Sequence, residues 1–415
     1  MQDGNFSSLS ARGRVLVERP PFAGYIMAHF ERHAARAAGV GHENYIALCI
    51  AENRQMWDVL ASRLARVPEV PGRVLGYDAM IGSLEFRQRL AAFSSRAFLG
   101  RPVQAEQLAV LAGAGSVLEL LFFAICDPGD GVLVPTPSYA GFWADLETRD
   151  ELKIVPVHRR AADGFRLDPA ALDEALARAD RPVKALLFTT PDNPLGRVYE
   201  ADEIEAVLAW GERTRVHVVL DEIYALSVFG PRAFVSGASL RASLGERTHV
   251  VWAFSKDFGA SGLRCGVLFS ENAEVIRAVD ALAYWSACSG HTQHLLGELV
   301  SDTPWVDDFV AEMRRRLGAS YQGVTAALRE EEVPYVPAEG GIFVVLDLRG
   351  FLSEPTHGAE DELWRRFLDE AEVNLTPGSA CRIEEPGFFR LCYASEPLDV
   401  VVDGIRRIGR VLRRG

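Results

Sequence analysis

The chain has 415 residues, 48% of them hydrophobic and 24% charged, with a formal net charge of −13. This composition excludes a disordered or fibrous chain, and at roughly 150 residues per domain the length allows two or three domains or one large α/β body. The acidic balance lacks the basic footprint of a nucleic-acid binder and argues against docking on anionic lipid.

Six cysteines, at 49, 126, 265, 288, 381 and 392, form no CxxC pair. They read as small buried hydrophobes in a reducing compartment, not as a disulfide framework or a metal site. The opening MQDGNFSSLSARGRV has no apolar stretch that would serve as a leader, so a cytoplasmic location is the expectation. The run 108–126 approaches the length of a membrane span. Glu119 interrupts it and glycines cluster at its start, so it reads as a buried strand, a turn and a helix.

Apolar runs at 108–113, 131–137, 153–158, 183–190, 216–224, 249–255 and 264–270 read as buried strands, with helical patterns such as 201–214 between them. Strands alternating with helices predict a mostly parallel sheet covered on both faces. Near Pro304 the pattern changes. Thr303 reads as an N-cap, Pro304 as the first helical position and acids as the first turn of a helix close to thirty residues long. Beyond it GGIFVVLDL, a further helical stretch, FFRLCYA and a basic terminal helix read as a smaller α+β unit.

In open α/β sheets chemistry gathers at the carboxyl ends of strands. Lys256 follows the run HVVWAFS and precedes a glycine-rich turn. Desolvation there favours the neutral amine, the form that makes a Schiff base. An isolated Ser-Lys is ordinarily a solvated surface pair; here the partners of a Schiff-base cofactor follow in order. Asp221 ends VHVVL, where a carboxylate would keep the ring nitrogen of pyridoxal 5′-phosphate (PLP) protonated. Tyr224 and Asn193 are placed to hydrogen-bond the ring oxygen. Ala114, Gly115 and Ser116 form a small-residue turn whose amides would cradle a phosphate. Tyr139 would stack on a flat ring, Arg264 would fork a phosphate and Arg390 would hold an α-carboxylate.

The set resembles the fold-type I PLP-dependent enzymes of the aspartate aminotransferase superfamily, and within it the 1-aminocyclopropane-1-carboxylate (ACC) synthase branch. The residues that carry the resemblance are LCIAENRQ (48–55), GSLEFRQRL (82–90), DPGDGVLVPTPSYAGF (127–142), PDNPLGRV (191–198), DEIYALSVF (221–229), SKDFGASGLRCG (255–266), TQHLLGELVSD (292–302) and PGSACRIEEPGFFRLCYA (377–394). The resemblance implies an α/β fold with a large PLP domain at 56–303 on a mostly parallel, mixed seven-stranded sheet. It implies an N-terminal arm and part of the small domain at 1–55, and an interdomain helix with the small C-terminal α+β domain at 304–415, so that the small domain draws on both termini. It implies Lys256 as the Schiff-base lysine, Asp221 and Tyr224 as its catalytic partners, and Ala114, Gly115, Ser116, Tyr139, Asn193, Ser255 and Arg264 as further cofactor ligands. Arg390 and Glu52 become substrate ligands, Glu52 facing the sulfonium of S-adenosylmethionine (SAM), a fixed cation that a nearby anion stabilises. A homodimer with shared active sites and no metal is also implied.

Three positions depart from the branch pattern: Met80 stands for a tyrosine, Gly115 for a threonine and Ala253 for a serine. At about 1 kcal/mol per lost hydrogen bond, cofactor binding is weakened without being abolished. Met80 is flexible and apolar and would widen the mouth, counting it among the substrate-facing residues. The implied activity passes through an α-carbanion (quinonoid) of SAM with loss of methylthioadenosine, closing to ACC. One alternative is γ-replacement, in which a second substrate (a thiol, a carbon nucleophile or a nicotinamide-like ring) captures the fragment. Another is plain transamination. A regulator built on the same fold is disfavoured, because the match leaves no room for a DNA-binding domain.

Overall fold

Alternate residues of the apolar runs pack on opposite sides of one sheet. Leu108, Val110, Val218, Leu220, Val250 and Trp252 join one buried layer, while Ala109, Leu111, Val219 and Val251 join the other. Strands apolar on both faces must be covered on both, and helices supply the cover. The computed structural model describes residues 8–67 and 69–414; the first seven residues of the predicted N-terminal arm lie outside the described ones.

The strands are β1 (Leu108–Leu111), β2 (Gly131–Thr136), β3 (Lys153–His158), β4 (Val183–Thr189), β5 (His217–Asp221), β6 (Thr248–Ala253) and β7 (Gly266–Ser270). They lie in the order β1-β7-β6-β5-β4-β2-β3. Only β7 runs against its neighbours, opposing both β1 and β6. The predicted mixed, mostly parallel seven-stranded sheet is therefore the observed one. Several strands stop short of their apolar runs: β1 at Leu111 and β6 at Ala253, and β7 begins only at Gly266. The surplus residues turn out of the sheet, Ser255 and Arg264 among them.

The run 108–126 resolves into β1 and a helix, Ala114–Ile125, and Glu119 is paired with Arg149 at 2.7 Å. The long helix spans Thr303–Glu330. Its cap is Asp302, whose carboxylate accepts from the Trp305 amide at 3.3 Å, and its first turn holds no acid. Thr303 is thus the first helical residue and not the cap, because the longer-reaching Asp side chain one position earlier takes the free amide. Beyond this helix, Phe343–Asp347 pairs antiparallel with Phe388–Cys392, which also pairs with Thr376–Pro377. The N-terminal segment joins this part of the chain: Ile46–Ala47 pairs in parallel with Val373–Asn374. Among the described residues, no helix is long and apolar enough to cross a membrane.

Candidate active site

The parallel strands deliver their carboxyl ends to one edge of the sheet. Asp221 is the last residue of β5 and Asn193 lies in the turn after β4; Tyr139 follows β2, and Ala114 opens the helix after β1. Lys256 sits in a one-turn helix, Phe254–Asp257, directly after β6. Because β7 runs backwards, its beginning reaches the same edge: Gly266 lies opposite both Leu111 and Ala253. Arg264 is brought in by that reversal.

The amine of Lys256 donates to the Ala51 carbonyl at 2.5 Å, and the Lys256 carbonyl accepts from the Asn53 side chain at 3.2 Å. Gly259 lets the two segments touch, since a Cβ there would meet the Asn53 carbonyl at 2.2 Å. Asp257 anchors the turn from below, accepting from Trp252 Nε1 at 2.8 Å, the Ser227 hydroxyl at 2.7 Å and the Leu226 amide at 3.1 Å. Burial draws the Lys256 amine down to about 8, with Arg390 pushing the same way and Cys392, Glu52 and Asp221 opposing.

Asp221 is buried. Its carboxylate accepts from the Thr189 hydroxyl at 3.3 Å and the Ile223 amide at 3.4 Å, and among the described residues it forms no salt bridge. Burial pushes it up to about 7, against the pull of those hydrogen bonds and of Lys256. Each of the two groups thus feels the other's charge. Tyr224 is buried edge-on to Phe343, its hydroxyl raised by burial and sensing Arg390, Asp221 and Tyr139.

Arg390 lies mid-strand, in register with Val345 on one side and Thr376 on the other. It is 2% exposed, yet among the described residues no carboxylate pairs with it. One terminal nitrogen donates to Asn193 Oδ1 at 3.1 Å. The other donates to the Cys49 carbonyl at 3.0 Å and the Thr376 hydroxyl at 3.1 Å, and Nε has no partner. A buried guanidinium without its counter-ion is a costly arrangement that an incoming carboxylate relieves. The Asn193 turn is itself fixed by a buried ion pair, Arg159–Asp192 at 2.8 Å, to which the Tyr199 hydroxyl adds 2.7 Å. Arg159 also donates to the Thr136 and Pro137 carbonyls, so this pair sets the loop that carries Tyr139.

The residues present fit PLP. The first-turn amides of the helix Ala114–Ile125 have no helical acceptor. The Arg264 guanidinium lies beside them, donating to the Ala112 carbonyl at 3.3 Å and the Ser261 carbonyl at 3.1 Å. It fits there only because residue 113 is glycine, at φ +94°; a Cβ would stand 2.4 Å from the guanidinium. This amide-and-guanidinium cradle suits a phosphate, Asp221 suits a protonated ring nitrogen and Lys256 suits an aldehyde. The Ser138 hydroxyl, next to Tyr139, is buried without a partner. Gly141 leaves room for the Tyr139 ring, which a Cβ would overlap at 2.4 Å. Among the described residues no cluster of potential metal ligands occurs.

The other predicted site residues have definite places. Ser116 is in the first turn of that helix, its hydroxyl 3.4 Å from the Ala112 carbonyl, and Gly115 faces open space. Ser255 is buried beside Lys256. Glu52 is half-buried between Ser261 and Arg54 and acts on the charge of Lys256. Met80 packs, half-buried, against the apolar layer that also holds Tyr139. The sequence reading missed Ala51, Asp257, Thr189, Thr376 and the Arg159–Asp192–Tyr199 network. Ala51, Asp192 and Asp257 lay inside recognised motifs, but no spacing rule marks a partner so distant in sequence.

The family model for class I and II aminotransferases matches residues 43–408. The chain is 32% identical over 381 residues to 1-aminocyclopropane-1-carboxylate synthase 2 of Cucurbita pepo, covering 88% of this chain and 77% of that one. It is 34% identical over 433 residues to 1-aminocyclopropane-1-carboxylate synthase 4 of Oryza sativa subsp. japonica, covering 95% and 86%. In fold it is similar to the aspartate aminotransferase of Thermus thermophilus solved with maleate. That likeness has a TM-score of 0.82 and 24% identity over 98% of this chain and 100% of that one. The chain belongs to the class I and II aminotransferase family, on its ACC synthase-like branch, and is a PLP-dependent enzyme.

Proposed function

We propose that this enzyme acts on SAM, removing the α-proton and expelling methylthioadenosine with closure to ACC. The observation that carries the reading is Glu52. It is an anionic side chain that lowers the cost of a fixed cation, and it lies close enough to the Lys256 amine to shift its charge. The ACC synthase relatives support the same reading. When bound, PLP supplies an electron-accepting ring that spreads the negative charge left at the α-carbon. Arg390 clamps the α-carboxylate, taking the counter-ion it lacks. Asp221 holds a proton on the ring nitrogen, and its own preference for neutrality is overcome by that cation. Lys256, its amine made easier to deprotonate by burial, takes the α-proton at Nζ. Asn193 and Tyr224 would hold the ring oxygen, and Tyr139 would cover one ring face.

A second reading, γ-replacement by an added acceptor, draws its support from Met80, a flexible apolar side chain packed half-buried against the layer that also holds Tyr139. The two readings separate when purified PLP-loaded protein is incubated with SAM alone. Release of methylthioadenosine and ACC supports the first; no turnover until an acceptor is supplied supports the second. Formation of a 2-oxo acid from an ordinary amino acid overturns both in favour of transamination.

We further infer a cytoplasmic homodimer with sites completed across its two-fold axis. Leu75 and Tyr77, in the loop that leads to Met80, are 78% and 97% exposed, and Trp285 is 75% exposed. Such a set of large apolar side chains suits an interface better than water. The division of the body at 56 and 304 is part of the same proposal.

A further inference from the structure

Both oxygens of the Glu52 carboxylate are engaged. Oε1 accepts from the Ser261 hydroxyl at 2.7 Å, and Oε2 accepts from Arg54 Nε at 2.7 Å. The two donors come from different segments. Ser261 lies on the turn that follows Lys256. Arg54 follows Glu52, its own amide held on the Ala394 carbonyl at 2.9 Å. The Arg54 side chain is 43% exposed, lies 5.2 Å from the Trp57 ring centre, and among the described residues uses only Nε for hydrogen bonding. Arg54 is the one cation that pairs with Glu52 among the described residues.

We propose that Arg54 and Ser261 are positioning residues that set the charge and the aim of Glu52, and that Arg54 thereby determines how strongly the site prefers a cationic leaving group to a neutral one. This rests on the SAM reading above and names a determinant of specificity within it. The reasoning is electrostatic. A sulfonium placed before Glu52 feels the carboxylate and the guanidinium together, so the attraction is a difference between two terms. Solvent screens the half-exposed Arg54 only in part. Ser261 acts the other way. By holding Oε1 it prevents the carboxylate from turning both oxygens onto the guanidinium as a forked pair, which would neutralise it further. Removing the charge at 54 and removing the hydroxyl at 261 must therefore move the preference in opposite directions. A merely structural role for either residue would move both ligands alike.

The test uses the PLP-loaded protein and two ligands, SAM and its neutral thioether S-adenosylhomocysteine. Dissociation constants are read from the change in the cofactor's visible absorbance, so no turnover is needed. In Arg54→Gln the preference for SAM over the thioether rises by about 3- to 10-fold, and Arg54→Lys stays within about twofold of wild type. In Ser261→Ala the preference falls by about threefold or more. An unchanged or lowered preference in Arg54→Gln, with wild type and Arg54→Lys still binding SAM, overturns the inference. Equal movement of both ligands in Ser261→Ala does the same. Failure of wild type itself to distinguish SAM from the thioether overturns the SAM reading and the inference with it, and is told apart because no variant is involved.

Discussion

Arg390 reaches across 197 residues of sequence to hydrogen-bond Asn193 at 3.1 Å, while its Nε stays buried and unpaired. The same guanidinium touches the turn after β4, the N-terminal segment at Cys49 and the neighbouring strand at Thr376. It is held ready by neutral acceptors alone, so its charge is left for a ligand.

Arg390→Lys keeps the charge but loses the planar fork, which a point charge does not replace. The KM for the amino-acid substrate is expected to rise about 100-fold, with the cofactor's absorbance band retained. Arg390→Met removes an uncompensated buried charge and should leave the apoprotein as stable or up to about 2 kcal/mol more stable in thermal unfolding.

Lys256 titrates near 10.5 when unfolded and about 8 when folded. The unfolded chain therefore binds the extra proton between those values, and stability rises with pH across that window. Below pH 8 the full penalty, roughly 3 kcal/mol, is present. Lys256→Met should make the apoprotein more stable than wild type at pH 7, with the gap closing between pH 8 and 10.5. It should also abolish both turnover and the borohydride-trappable absorbance. A gap that is constant with pH would contradict this.

Asp221 has the reverse window. Its folded value, about 7, lies above the ordinary 3.8, so the native apoprotein holds the proton there and loses stability as pH rises from about 4 to 7. Asp221→Asn should stabilise the apoprotein at pH 8 by roughly 2–4 kcal/mol. Turnover, which needs the charge, should drop more than about 100-fold. Urea unfolding at pH 4 and pH 8 checks the first half of this expectation.

Gly113→Ala puts a Cβ 2.4 Å from the Arg264 guanidinium at a positive φ. Stability should fall by about 1–3 kcal/mol and PLP affinity by about tenfold or more. Gly115→Thr is the contrasting case: a Cβ there meets nothing within 4 Å, and φ is not positive. The added hydroxyl should tighten PLP several-fold, by about 1 kcal/mol. Fluorescence titration of apoprotein with PLP measures both.

Asp221 and Lys256 were legible in the sequence because each stands where a buried apolar run gives way to polar residues. The apolar runs overstated the strands for the same reason. Phe254 and Cys265 are as hydrophobic as strand residues but are buried outside the strands, in a one-turn helix and a connecting segment, and hydrophobicity alone does not separate the two. Asp302 took the cap expected of Thr303 because both types cap well and geometry chose between them. The Arg159–Asp192 pair and the Ala51–Lys256 contact join residues that share no pattern, being 33 and 205 positions apart. Glu52 was legible as an acid in a recognised motif; its clamp by Ser261 and Arg54 was not.

The pairing of Ile46–Ala47 with Val373–Asn374 brings opposite parts of the chain side by side, and Cys49 meets Arg390 across 341 residues. During synthesis Ile46–Ala47 must therefore stay unmatched until Val373–Asn374 has been made. The sheet from β1 to β7 has all its strands by Ser270, so it is able to assemble during synthesis. The contacts that hold the Arg390 guanidinium can form only once Arg390 itself has been made, 120 residues after the sheet is complete.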